Sequence, residues 1–182
     1  FALQTLAAEE FPTVAQAEQY NAKVTLPQKT LKHLFNMVHF SMAQQDIRYY
    51  LNGLLLVVDG KNVIAVATDG HRLAFCQVAT EQEFPRQEVI IPRKTIIELQ
   101  RLLEENDQPV DLEIANNQVK LTFGDIELIS KLVEGKFPDY TRVVPKGYKN
   151  NCTIGRDALL RSLMCAAIMP SDKFKCLRCI MC

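Results

Sequence analysis

The sequence predicts an α+β fold assembled from a duplicated unit of strand, helix and antiparallel meander, with the helices on one face of the sheets. Three observations carry that reading. The segment VTLPQKTLKHLFNMV (24–38) returns without a gap as VIIPRKTIIELQRLL (89–103), so position 89 answers to position 24 at a shift of 65 residues. In the first copy Leu31, Leu34, Phe35 and Val38 recur at i, i+3, i+4 and i+7, one apolar stripe along a helix. Each copy is followed by alternating apolar runs, GLLLVVDGKNVIAVATDGHRLAFCQV after the first and VDLEIANNQVKLTFGDIELISKLV after the second.

Taken in order, Val24 to Leu26 read as a short strand. Pro27, like Pro92 in the second copy, is expected inside the first helical turn, where its missing N–H costs nothing. On the helix that follows, Lys29, Lys32, His33 and Asn36 fall opposite the apolar stripe. Asp59-Gly60, Asn116-Asn117 and Gly124-Asp125 are hairpin-type turns inside the meanders. CTIGRDALLRSLMCA (152–166) fits the same template a third time, with Gly155 where the others have Pro. Two units make a domain of ordinary size, and a third starts near Asn150.

Composition narrows the function classes. With 182 residues, 48% hydrophobic and 23% charged, the chain is an ordinary globular protein rather than a disordered one. No apolar run reaches the roughly 20 residues of a membrane span, and the first residues lack a signal-peptide pattern, so the expectation is a cytoplasmic protein without membrane contact. The formal net charge is +0, yet it is unevenly spread. Residues 1–22 hold Glu9, Glu10 and Glu18 without a Lys or Arg, whereas 27–40 hold Lys29, Lys32, His33 and His39 without an acid.

Six cysteines end in the run CLRCIMC, Cys176, Cys179 and Cys182. That spacing reads either as part of an iron–sulfur or zinc site or as a strand using Cys as a small hydrophobe; the expectation is no metal and no cofactor. Asp69 and His71 in one turn read as an acid/base pair of a small hydrolase, and His33, His39 and His71 as a metal set. Against both, no nucleophile stands at a known motif spacing, no H-x-x-x-H occurs and no Gly-rich phosphate loop is present, so a non-enzymatic protein is expected.

FSMAQQDIRYYLNG, ATDGHRLA, VIIPRKTIIEL and SKLVEGKFPDYTRVVP, in that order, closely resemble the bacterial DNA polymerase III beta subunit family, the sliding clamps. The resemblance covers nearly the whole chain and implies the DNA clamp fold. It implies residues 1–21 as the end of a first clamp domain and linker, and 22–148 as the middle domain, with repeats at about 22–86 and 87–148. Residues 149–182 are then the truncated start of a third. It also implies a processivity factor, homodimeric at full length, that encircles double-stranded DNA without reading sequence. Its partners are the DNA polymerase III subunits, the clamp loader and repair polymerases, docked through short linear motifs.

Residue by residue, the resemblance places a peptide-docking pocket at Leu51, Thr68, Gly70, His71, Arg72, Leu73, Pro138, Arg142 and Val143. Leu51, Leu73, Pro138 and Val143 would supply apolar walls, Gly70 close backbone approach, and the two arginines forked donors. It places Gln45, Arg48, Tyr49 and Tyr50 near DNA, where phenols meet phosphates or stack on bases. The polar sides of the three repeated helices add Lys29, Lys32, Arg93, Lys94, Arg156 and Arg161, a set suited to backbone contact alone. The alternative is a truncated clamp-derived module that binds peptides and no longer encloses DNA.

Overall fold

The two long helices between Gln28 and Leu102 each start where a strand ends in proline. In the computed structural model, which describes residues 5, 7–11, 14–145, 147, 149–168 and 180, β1 (Ala22–Pro27) runs into α1 (Gln28–Val38). Likewise β3 (Leu73–Pro92) runs into α2 (Arg93–Leu102). Pro27 (ψ 141) and Pro92 (ψ 145) lie outside the helical range, one step earlier than expected, as the residues that cap the helices. Proline's fixed φ suits either place, so the strand's extended ψ decides. The first-turn amides then need outside acceptors. Gln28 N donates to the Gln108 carbonyl at 2.9 Å, Lys29 N to that of Asn106 at 3.0 Å, and Arg93 N to that of Asn52 at 3.0 Å.

Six strands form two sheets among the described residues. β1, β4 (Pro109–Ile114), β5 (Gln118–Phe123) and β6 (Ile126–Lys131) make one antiparallel sheet in the order β1-β4-β5-β6. β2 (Gly53–Thr68) pairs with β3 in the other. Asn116-Asn117 and Gly124-Asp125 link β4 to β5 and β5 to β6 as expected. Asp59-Gly60, expected as a hairpin turn, instead lies within β2 at a break in register, where nine residues of β3 (Ala79 to Gln87) answer to five of β2 (Val58 to Asn62).

The two repeats exchange their first strands. β1, from the first repeat, pairs with β4 of the second (Ala22 with Ile114, Leu26 with Val110). The start of the second repeat, at the end of β3, pairs with β2 of the first (Leu54 with Ile91, Leu56 with Val89). Neither repeat has a complete sheet of its own.

Leu31, Leu34, Phe35 and Val38 are fully buried, as the periodicity requires, and share one core with Ile96 and Leu99 of α2 and with both sheets. Gln100 Nε2 donates to Asn36 Oδ1 at 2.7 Å and ties α2 to α1. Alternation along β2 sends Leu54, Leu56 and Val58 into that core and Leu55 and Val57 to the opposite face. There they join Ala43, Leu51, Val66, Ile90 and Phe137 in a smaller cluster, with Tyr50, Leu73 and Tyr140 packed against it. This second cluster is the floor of the candidate site.

The chain divides into two compact units, Phe1–Tyr140 and Thr141–Cys182. A short helix, α3, occupies Tyr140–Val143. In the second unit α4 (Arg156–Ala166) is capped by Gly155 (ψ 128), which takes the place Pro27 and Pro92 hold in the other copies. Cys176, Cys179 and Cys182 lie outside the described residues.

Candidate functional site

The six residues Thr68 to Leu73 leave β2 and re-enter β3 through a turn held almost entirely by its own groups. The Thr68 hydroxyl donates to the Arg72 carbonyl at 2.7 Å and accepts the Gly70 amide at 3.1 Å. Asp69 Oδ1 accepts the amides of His71 (2.9 Å) and Arg72 (3.0 Å), a short acid capping the turn that follows it. Gly70 takes φ 88°, a left-handed conformation that disfavours any side chain. The Asp69 carboxylate is therefore committed as a structural acceptor, and the His71 side chain lies exposed beside it.

Arg72 is fixed rather than loose. Its Nε donates to Asp69 Oδ2 at 3.1 Å and its Nη2 to the Phe40 carbonyl at 2.6 Å, with the guanidinium 5.9 Å from the centre of the Phe40 ring. Burial raises the Asp69 pKa, but the Arg72 and His71 amides and the Arg72 side chain outweigh it, leaving the carboxyl below its ordinary value.

The loop 45–51 meets the same turn. Arg48 forks onto Asp46, Nε to Oδ1 at 3.1 Å and Nη2 to Oδ2 at 2.9 Å, and Nη2 also donates to the Asp69 carbonyl at 3.4 Å. The Arg48 side chain and amide hold the Asp46 carboxyl down at about 2. Asn52 closes the loop by accepting the Asp46 amide and donating to its carbonyl. Tyr49 is 56% exposed, whereas Tyr50 packs on the second cluster, and the two rings meet edge to face with centroids 6.0 Å apart. Gln45 is exposed and is the one non-glycine residue with positive φ (57°) among the described residues. Two stretches that the sequence presents as separate sites thus form one surface through Arg48.

The apolar residues divide by depth. Leu51 is 1% exposed and belongs to the floor rather than to an open wall. Leu73 is half-buried against the second cluster, on which Tyr140 also packs, and the Phe75 and Tyr140 rings lie 5.9 Å apart. Pro138 is exposed on the segment leading to Tyr140. Arg142 and Val143 belong to the second unit, both exposed on α3. Phe40 and Asp46 complete the frame without having been singled out, while Asp69, read in the sequence as half of an acid/base pair, caps the turn instead. The Asp-Gly pair signals Asp69, but nothing local signals that the Phe40 carbonyl lies within reach of Arg72.

The basic helix residues sit at two ends of the α1–α2 pair. Lys29 pairs with Asp107 at 2.6 Å and Lys32 Nζ donates to the Leu103 carbonyl at 2.8 Å, both just past the C-terminus of α2. Arg93 and Lys94 open α2, Arg93 Nη1 reaching the Met42 carbonyl at 3.4 Å and Lys94 exposed. Arg156, beside Asp157 at 3.1 Å, and Arg161 are exposed on α4 of the second unit. No helix among the described residues is long and apolar enough to cross a membrane.

Comparison with known proteins matches residues 25–139 to the family model for the DNA polymerase III beta subunit, central domain. The beta sliding clamp of Escherichia coli (strain K12) is 44% identical over 178 residues, covering 98% of this chain and 48% of that protein. That of Pseudomonas aeruginosa is 42% identical over 181 residues, again covering 98% and 48%. The crystal structure of the Pseudomonas aeruginosa DNA polymerase III subunit beta superposes with a TM-score of 0.84 at 41% identity, covering 92% of this chain and 46% of that one. The chain spans about half the length of these relatives. Strand exchange, repeated helices and the Thr68–Leu73 turn occur in a chain that belongs to the DNA polymerase III beta subunit family, the non-catalytic beta sliding clamps.

Proposed function

We propose that this chain carries the middle domain of a clamp, residues 22–148, and the opening of a further domain, 149–182, following the tail of a preceding one, 1–21. The clamp encircles duplex DNA in the cytoplasm as a homodimer, and tethers the replicative polymerase, clamp loader and repair polymerases by their short linear motifs. The observation that carries the docking half is the pre-set turn Thr68–Leu73 above an apolar floor. A rigid rim beside a partly covered Leu73 and a Phe75–Tyr140 pair is suited to an apolar anchor with a hydrogen-bonding backbone. Gly70, His71, Arg72 and Pro138 complete the pocket within the first unit on this reading, and Leu51 acts beneath it.

Titrating a hexapeptide rich in Gln and Leu, followed by amide shifts, tests the assignment. Shifts should centre on Gly70 to Leu73. Truncating Leu73 to Ala removes ~60–100 Å² of apolar contact, about 1.5–2.5 kcal/mol at ~25 cal/mol per Å², and should weaken binding at least about tenfold. Lys29→Ala, on the helix pair, should leave it unchanged. Shifts that appear elsewhere, or that survive Leu73→Ala, would remove the docking assignment.

A further inference from the structure

The docking turn supplies its own hydrogen bonds, yet one support reaches it from outside. Arg48 Nη2 lies against Gly70, where an added Cβ would come within 3.0 Å, and donates to the Asp69 carbonyl at 3.4 Å. A guanidinium on a flexible stem has no reason to rest there unless something aims it. Asp46 does so, by two side-chain contacts with Arg48 and by accepting the Arg48 amide at 2.8 Å. Asp46 is in turn fixed by the two-way amide exchange with Asn52, directly after the buried Leu51. The line Asn52, Asp46, Arg48, Gly70 runs from the floor of the cluster to its rim.

We propose that Asp46 is a positioning residue for peptide docking: through Arg48 it sets the shape of the Thr68–Leu73 turn and so the affinity of the pocket, while touching no peptide itself. The proposal rests on the docking reading above. The forked geometry matters, because both carboxylate oxygens are used and the plane of the guanidinium is fixed with its far side toward Gly70. A bare positive charge at position 48 would keep the attraction to Asp46 and lose that orientation.

The test compares the wild-type chain with Asp46→Ala, Asp46→Glu and Arg48→Lys, with the Gln- and Leu-rich hexapeptide as probe. Three readouts are taken: the Arg48 Nε–H resonance, hydrogen exchange at the Gly70 and His71 amides, and peptide Kd. Asp46→Ala is expected to shift the resonance, speed exchange in the turn and weaken Kd about three- to tenfold, with a single cooperative melt retained. Arg48→Lys should behave the same way at the turn, and Asp46→Glu should recover part of the affinity. The proposal is overturned if Asp46→Ala leaves turn exchange unmoved, or changes it without changing Kd. If wild-type protein shows no peptide response at the turn, the docking reading fails and the affinity role falls with it. Turn exchange in the free protein then still decides whether Asp46 holds the turn.

Discussion

Gly70 and Arg48 are packed so closely that a methyl group on the glycine would meet the guanidinium at 3.0 and 3.2 Å. Gly70 also stands at φ 88°, so the residue type is required twice over. Gly70→Ala should cost about 1–3 kcal/mol, a backbone penalty plus displacement of Arg48 from the Asp69 carbonyl. Urea unfolding measures the loss. A variant as stable as the parent, with unchanged amide shifts at Asp69 and His71, would show that the turn is not held in this shape.

Acid should reach this turn late. The Asp46 pKa is lowered to about 2 by the Arg48 side chain and amide, and that of Asp69 is lowered as well, its amide bonds overcoming burial. A depressed carboxylate pKa gives a contribution fully present above the unfolded value, about 4, and lost as pH falls through the folded one. The Arg48 Nε–H signal, which reports the Asp46 contact directly, should therefore hold from neutrality to about pH 4 and move between about pH 4 and 2. Asp46→Asn should alter it already at pH 7. A midpoint above about pH 5 in the parent chain contradicts the ion-pair account.

Much of this arrangement is legible before any coordinates. The stripe Leu31, Leu34, Phe35 and Val38 is buried as its spacing demands, and the equivalence of Pro27, Pro92 and Gly155 is realised as three helix caps. Periodicity reports which side of an element is covered, but not by what. The polar side of α1 reads as free, yet Lys32 spends its ammonium on the Leu103 carbonyl, 71 residues away. Likewise Leu51 cannot be told from an open pocket wall until the cluster that buries it is assembled. Arg48, which the resemblance places near DNA, pairs with Asp46, two residues earlier, a partner that periodicity does not report.

On the reading that the helix pair faces DNA, binding should be sequence-blind and salt-steep. If roughly two to four basic side chains meet phosphates, log K should fall against log salt with a slope of about −2 to −4. Lys94 is exposed, whereas Lys29 must leave Asp107 and Lys32 the Leu103 carbonyl before meeting a phosphate. Lys94→Ala should therefore weaken binding more than Lys29→Ala does. Fluorescence titrations of duplexes differing in sequence, over a salt series, check both claims. A tenfold preference for one sequence would refute backbone-only contact.

Strand exchange makes the two repeats a single folding unit. β1 completes the sheet of the second repeat, and the last residues of β3 complete that of the first, while α1 and α2 share one core. A fragment holding only residues 22–86 would leave β1 without β4 and Leu54 to Val58 without their partners in β3. Its apolar strands would have open edges on both sides. That fragment should fail to fold, giving no cooperative melt by circular dichroism. In the whole chain, Leu112→Ala in one sheet and Ile91→Ala in the other each remove a fully buried side chain, and each should cost about 2–5 kcal/mol. If the repeats are one unit, either substitution lowers the same single transition. Hydrogen exchange at Leu121 in β5 and at Leu56 in β2 should then accelerate together in both variants. Two separate transitions, or exchange that accelerates only in the substituted sheet, would mean that each repeat is stable without the strand it borrows.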